Sequence, residues 1–162
     1  MLYRIKKNAN FEVQYNYMKI NLRNGIDKLL FGMKPKDVLA IYGTPDREYK
    51  DEDGNTIFSY NSLKMRLTFY LEEESKLSYI VASSSDLELL ENKIIGKKIL
   101  EAKKELSPKG IVKFTKEDFD TYENYFNEDH WFILQTEFEE VVKFEMGAII
   151  NDKDEFDWKF KS

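Results

Sequence analysis

Apolar residues recur along this chain with two different spacings, and the spacings predict where strands and helices lie. Strict alternation over residues 63–71 places Leu63, Met65 and Leu67 on one side of a strand, with Lys64 and Arg66 on the other. One face of the resulting sheet is therefore expected to be buried and the other open to water or to a partner. Comparable runs predict strands over residues 11–17, 56–60, 77–82, 131–138 and 141–150, with 2–6 pairing to 11–17 and a last edge strand within 152–160.

Segments with helical spacing precede each group of strands. Residues 26–43 predict a short helix, a joint at Gly32 and a second helix that has Pro35 in its first turn and ends at Gly43. The same order recurs from residue 87, with a joint at Gly96 and a second helix over 98–106. An order of elements that recurs in this way predicts a repeated architecture.

The sequence thus predicts an α+β protein in which two divergent α-α-β-β-β modules stand in tandem. Their strands would share one antiparallel sheet, with the helices packed on one face. The expected boundaries are an N-terminal strand or hairpin at 1–20, a first helix-helix-sheet module at 21–85 and a second at 86–162.

Composition narrows the classes of function. An apolar fraction of 42% with 34% charged residues is typical of a globular chain. The net charge of −5 argues against a nucleic-acid binder, which needs a concentrated basic surface, and is compatible with a protein partner that is basic. No run approaches a membrane span, and the first ten residues lack the apolar stretch of a secretion signal. If Met1 is the native start, we expect a cytoplasmic protein.

Candidate catalytic chemistry is sparse. The chain has no cysteine, which excludes disulfides, thiolate catalysis and Cys-ligated zinc. His130 is the sole histidine, and beside Glu128 and Asp129 it could serve as a general base or a metal ligand, but a solvated turn is the favoured interpretation. The acidic run 51–55 fits a hairpin turn better than a calcium loop. We therefore expect no catalytic residues, no metal and no cofactor.

Surface side chains remain as the candidates for function. Aromatic residues and arginine at strand edges or on polar strand faces are favoured as interface anchors, although each could instead cover a second layer of core. The predicted binding residues are Arg66, Tyr70, Tyr125, Trp131 and Trp158.

One motif resembles a known family. The run Phe31-Gly32-Met33, followed by Val38 and by Gly43-Thr44-Pro45, is similar to the signature of small helix-helix-sheet modules. These modules include the outer-membrane assembly lipoproteins of the SmpA/OmlA type and the β-lactamase inhibitor protein (BLIP-like) fold. The resemblance implies tandem modules that present a curved sheet to a protein target. This chain lacks the lipidated cysteine of the lipoproteins.

Together these observations predict a non-enzymatic protein-binding module, such as an inhibitor or immunity protein that neutralises a toxin or enzyme through its open sheet face. Two alternatives stay open. The protein could bind a small ligand or lipid in an apolar cavity, or it could be a hydrolase that uses carboxylates near His130.

Overall fold

The fold is mainly β. A computed structural model describes residues 2–7, 10–15 and 18–161, with side chains from residue 18 onward. The described ranges contain fourteen strands and two α-helices. In chain order the strands are β1 (Leu2–Lys7), β2 (Asn10–Tyr15), β3 (Met18–Asn21), β4 (Gly25–Ile26), β5 (Arg47–Lys50), β6 (Thr56–Tyr60), β7 (Met65–Tyr70), β8 (Lys76–Ala82), β9 (Leu87–Leu89), β10 (Asn92–Lys93), β11 (Thr115–Asp118), β12 (Glu123–Asn127), β13 (Phe132–Glu137) and β14 (Glu140–Gly147).

The largest sheet has eight antiparallel strands in the order β11-β12-β13-β14-β8-β7-β6-β5. Two four-stranded meanders, β5 to β8 and β11 to β14, meet side by side at the pair β8 and β14. At this junction Gly147 lies opposite Tyr79 and Met146 lies opposite Ile80. Side chains alternate between a buried face and a half-exposed face, as the period of two predicts.

Two helices cover the buried face. Helix α1 (Pro35–Tyr42) begins at a proline, and Gly43 caps its end by donating its N–H to the Leu39 carbonyl oxygen at 2.8 Å. Helix α2 (Ile99–Leu106) buries Ile99, Ala102 and Leu106. Both helices join one continuous core with the buried face of the large sheet.

A second, smaller sheet has the strand order β10-β9-β3-β4. Its strands β9 and β10 occupy the segment where the first helix of the second module was predicted. Its strand β9 pairs in parallel with β3, so that Met18 lies opposite Leu87. Leu87 and Leu89 are buried while Glu88 between them is half-exposed, which is the alternation of a strand. Its buried side chains belong to the same core as the large sheet.

The predicted α+β class with two α-α-β-β-β modules is wrong, because the described residues are mainly strand and hold one α-helix in each predicted module rather than two. Residues 26–31 form turns after β4: Leu29 donates its N–H to the Ile26 carbonyl oxygen and Phe31 donates to that of Asn24, both at 2.9 Å. These turns bury Ile26, Leu29 and Phe31 completely. The apolar spacing that suggested a helix therefore comes from compact turns.

Several strands differ from prediction in detail. Strand β5 is the extended run expected before the hairpin turn at 51–55, but β3, β4, β9, β10, β11 and β12 were not predicted. The expected edge strand within 152–160 is reduced to an isolated bridge between Ile150 and Phe156. The predicted N-terminal hairpin is present as β1 paired with β2. Its turn residues Asn8 and Ala9, and the last two residues of the predicted strand 11–17, lie outside the described residues. The division of the chain into modules at residue 85 stays a prediction.

Candidate functional site

The register of the large sheet aligns side chains across its half-exposed surface, which we call the open face. One row crosses the seven strands from β12 to β5, because each of its residues is the registered partner of the next. Glu145 and Arg66 stand two places apart near its centre. The members of this row are Phe126, Ile133, Glu145, Val81, Arg66, Ser59 and Arg47.

Trp131 is seated on this face over a glycine. The N–H of Gly147 donates to the Trp131 carbonyl oxygen at 3.2 Å, which continues the ladder between β13 and β14. A Cβ atom at residue 147 would come 2.8 Å from the indole Cδ1 and 3.4 Å from a ring carbon of Tyr79. Phe126 packs edge-on against the indole at 5.2 Å between ring centroids. The glycine thus leaves the space that the Trp131 indole occupies, while 42% of Trp131 remains exposed.

A hydrogen-bonded pair holds the middle of the open face. The hydroxyl of Tyr79 donates to the carboxylate of Glu145 at 2.7 Å. Burial raises the pKa of Tyr79 well above its ordinary value, and the hydrogen bond to Glu145 raises it further, while the positive charge of Arg66 opposes the rise. Glu145 is therefore engaged by a neutral donor, and Arg66 projects as an exposed cation beside the pair.

Cations cluster on the neighbouring part of the open face. Lys64, Arg66 and Lys143 line a shallow cleft of about 300 Å³ in which no carboxylate takes part. Within residues 18–161, none of these three side chains forms an ion pair. The cleft therefore presents unneutralised positive charge, although the chain as a whole carries a net charge of −5.

A second aromatic group stands where the sheet meets the C-terminal segment. Tyr70 packs edge-on against Phe156 at 6.4 Å, and Phe156 stacks on Trp158 at 4.8 Å between ring centroids. The segment is held by backbone hydrogen bonds from Lys159 and Phe160 to the carbonyl oxygen of Phe31. Tyr70 and Trp158 are consequently half-buried at the border of the open face.

The structure brings together some of the predicted binding residues and separates one of them. Arg66 and Trp131 share the open face, and Tyr70 and Trp158 lie at its border. Tyr125 points to the opposite side, where only 7% of it is exposed and the ammonium groups of Lys103 and Lys116 lie over its ring. Its strand β12 was not predicted, so its orientation could not be read from alternation.

Two residues that the sequence did not single out complete the surface. Tyr79 and Gly147 lie opposite one another and determine how Trp131 packs. Tyr79 lies in the predicted strand 77–82, but apolar residues stand on both sides of that strand, so alternation does not assign its face. No local pattern identifies Gly147, because its role depends on a ring from another strand.

His130 is held by Asn127 in the turn between β12 and β13. Its backbone N–H donates to the side-chain oxygen of Asn127 at 2.9 Å, and the ring Nδ1 lies 3.2 Å from the same oxygen. Burial lowers the pKa of His130 from 6.5, the charge of Arg23 lowers it further, and Asp129 opposes the change. Within the described part of the chain, no group of three or more histidine, aspartate or glutamate side chains could hold a metal ion.

The acidic loop after β5 is a hairpin turn. The carboxylate of Asp51 accepts hydrogen bonds from the backbone N–H groups of Asp53 at 3.0 Å and Asn55 at 2.9 Å. A carboxylate used in this way closes the turn between β5 and β6. Neither helix in the described ranges is long and apolar enough to cross a membrane.

No family model matches the sequence, and no curated protein matches it. Two solved structures are similar to part of it. One is an extracellular protein containing a SCP domain from Bacillus anthracis str. Ames, at 15% identity and a TM-score of 0.44. The other is a cysteine-rich secretory protein from Staphylococcus aureus subsp. aureus Mu50, at 14% identity and a TM-score of 0.43. Each similarity covers 70% of this chain and 42% of the other chain, so this chain spans less than half the length of either.

Two expectations from the sequence need correction. The resemblance to SmpA/OmlA-type and BLIP-like tandem modules is wrong, because the second helix that it implies for each module is absent from the described residues. The expected cytoplasmic location finds no support, and the two similar structures are themselves described as an extracellular and a secretory protein.

Proposed function

We propose that this protein is a non-enzymatic binding module that recognises another protein through the open face of its eight-stranded sheet. The observation that carries the proposal is Trp131, which lies over Gly147 on the same face of the sheet as the exposed cation Arg66. Tryptophan and arginine are enriched among the residues that dominate interface energies, and a rigidly seated ring loses little conformational freedom on binding. Trp158 and Tyr70 extend the same surface at its border.

The charge of the open face favours an acidic contact surface on the partner. Lys64, Arg66 and Lys143 form no ion pairs within residues 18–161, whereas Glu145 is engaged by Tyr79. A partner carboxylate would meet these cations without first displacing an internal ion pair. This local charge is opposite in sign to the net charge from which a basic partner was predicted.

The test compares surface variants in a quantitative affinity capture from an extract of the source organism, followed by calorimetry with the captured protein once purified. Trp131→Ser and Arg66→Glu should each weaken binding, by about 30-fold or more for a tryptophan at the centre of an interface. Phe138→Ser is the matched control, because Phe138 is 94% exposed at the turn between β13 and β14. Partners that bind both open-face variants as tightly as the parent protein would refute the proposal.

A finer form of the proposal is that binding neutralises the partner, as an inhibitor or immunity protein does. A wide sheet surface supports it, because such a surface can cover an active-site entrance. If the captured partner is an enzyme or toxin, its activity should fall in proportion to complex formation with the parent protein and recover with Trp131→Ser. Full activity in a saturated complex would limit the function to binding alone.

A further inference from the structure

A cleft of about 430 Å³ opens at the first turn of α1, and it shares no lining residue with the cation cleft of the open face. Its size falls within the range of about 300–1,000 Å³ that is usual for small-molecule sites. Its walls come from the Gly32 joint, α1, β8 and the C-terminal segment. The lining residues are Gly32, Lys34, Lys36, Asp37, Lys76, Trp158, Phe160 and Lys161.

Gly32 explains how this cleft is built. A Cβ atom at residue 32 would lie 3.3 Å from Trp158 Cβ and 3.4 Å from the carbonyl oxygen of Phe160. Its φ of +105° is also rarely adopted by other residues. The backbone of the C-terminal segment thus comes close to the joint and is fixed there by hydrogen bonds to Phe31. This close approach places Trp158, Phe160 and Lys161 beside the first turn of α1.

The charge in this cleft is strongly positive. Four lysines and one carboxylate line it, and the carboxylate of Asp37 already accepts the backbone N–H of Lys34 at 2.9 Å. Across residues 18–161, Lys34, Lys36 and Lys161 form no ion pair. Lys76 lies 3.9 Å from Glu74, whose side chain is 75% exposed, and its ammonium stands over the Trp158 ring.

Helix α2 provides an internal comparison. It also begins after a lysine, Lys98, and has basic residues around its first turn. There, however, Lys97 forms an ion pair with Glu105, and Lys98 reaches the carbonyl oxygen of Phe138 at 3.5 Å. The lysines at the start of α2 are thus engaged by the protein's own acceptors, whereas those in the α1 cleft converge on open space.

We propose that the α1 cleft binds a small polyanion with two or more phosphate groups. Lysine recognises phosphate as a point charge, and ammonium groups from three separate parts of the chain require a ligand whose negative charges are also spread over several groups. One face of Trp158 is already stacked on Phe156 and Lys76 stands over its ring, so phosphate groups rather than an aromatic ring carry the recognition. This proposal rests on the lysines of the α1 cleft, none of which lines the cation cleft of the open face, so it is tested separately although Trp158 borders both the α1 cleft and the open face.

The test titrates inorganic triphosphate, ATP and orthophosphate into Trp131→Phe protein, in which Trp158 is the only tryptophan. We expect saturable change in Trp158 emission and matching calorimetric heat with triphosphate, and much weaker binding of orthophosphate. ATP and triphosphate of equal affinity would assign recognition to the phosphates alone. Tighter binding of ATP would support the same site and add a contact to the nucleoside.

Substitutions then locate the binding site. Lys34→Gln and Lys76→Gln should each weaken triphosphate binding about tenfold, the effect of losing one charge-assisted contact. Lys98→Gln is the matched control, because Lys98 precedes α2 as Lys34 precedes α1. Urea unfolding of every variant verifies that the fold is kept. Absence of saturable binding at millimolar triphosphate, or equal weakening by Lys98→Gln, would overturn the proposal.

Discussion

Replacing Gly32 by alanine tests whether the C-terminal segment packs in place only because residue 32 has no side chain. Two separate penalties are expected at this position. The backbone has φ of +105°, and the added methyl group would stand 3.3 Å from Trp158 Cβ and 3.4 Å from the Phe160 carbonyl oxygen. Gly110 separates the two penalties, because its φ is +89° but an added Cβ would meet nothing within 4 Å.

The expected losses of unfolding free energy can be estimated from the surroundings of the two glycines. Placing a non-glycine residue at positive φ costs about 1–2 kcal/mol, which is the whole expected loss for Gly110→Ala. Crowding against packed neighbours adds about 1–3 kcal/mol, so Gly32→Ala should lose about 2–5 kcal/mol of unfolding free energy. For a chain of 162 residues each kcal/mol corresponds to about 2–4 °C in Tm.

Urea unfolding of both variants in the Trp131→Phe background measures the difference in unfolding free energy. In that background Trp158 is the only tryptophan, so the fluorescence reports on the C-terminal segment. We expect Gly32→Ala to be the less stable of the two and its Trp158 emission to shift to the red, because the segment is pushed outward. If the two variants lose equal unfolding free energy and Trp158 emission is unchanged, the packing of the C-terminal segment does not depend on Gly32.

Two further predictions concern the sheet and its edge. Tyr79→Phe should lower the unfolding free energy by about 1–3 kcal/mol in urea titrations, because it leaves the half-buried Glu145 carboxylate without its donor. Tyr49→Phe, on the same face, should be nearly neutral, and an equal loss would contradict this account. For His130, the folded state lowers the pKa from 6.5, so the stability that the neutral ring provides above that pH is lost as the pH falls below it. His130→Gln should therefore flatten the pH dependence of Tm just below pH 6.5, and an unchanged slope would refute the assignment.

Local patterns predicted elements where several signals agreed. Helix α1 has a proline in its first turn and a glycine at its end, and strand β7 has strict alternation, so both lie close to the predicted ranges. The prediction of a helix at residues 26–31 was wrong because apolar residues separated by about three positions also occur in compact turns. The prediction of a helix from residue 87 was wrong because a short strand with two leucines resembles one turn of an amphipathic helix.

The candidate site could be predicted only in part. Arg66 was assigned to the polar side of its strand from alternation, and the structure places it on the open face. Tyr125 was assigned without a predicted strand, and the structure places it in the core. The sequence shows that Trp158 is a large side chain. Its position in the fold depends on close packing of the C-terminal segment against Gly32, which lies more than a hundred residues earlier in the sequence.

By itself the sequence determined local properties: which strands alternate, where α1 begins and ends, and that cysteine chemistry is excluded. These follow from short-range backbone sterics and from residue identity. Tertiary structure alone decided that β8 and β14 join two meanders, that Trp131 lies over Gly147, and that four lysines converge beside Trp158. Strand register and backbone approach are relations between distant segments, so their energies depend on packing that no local pattern contains.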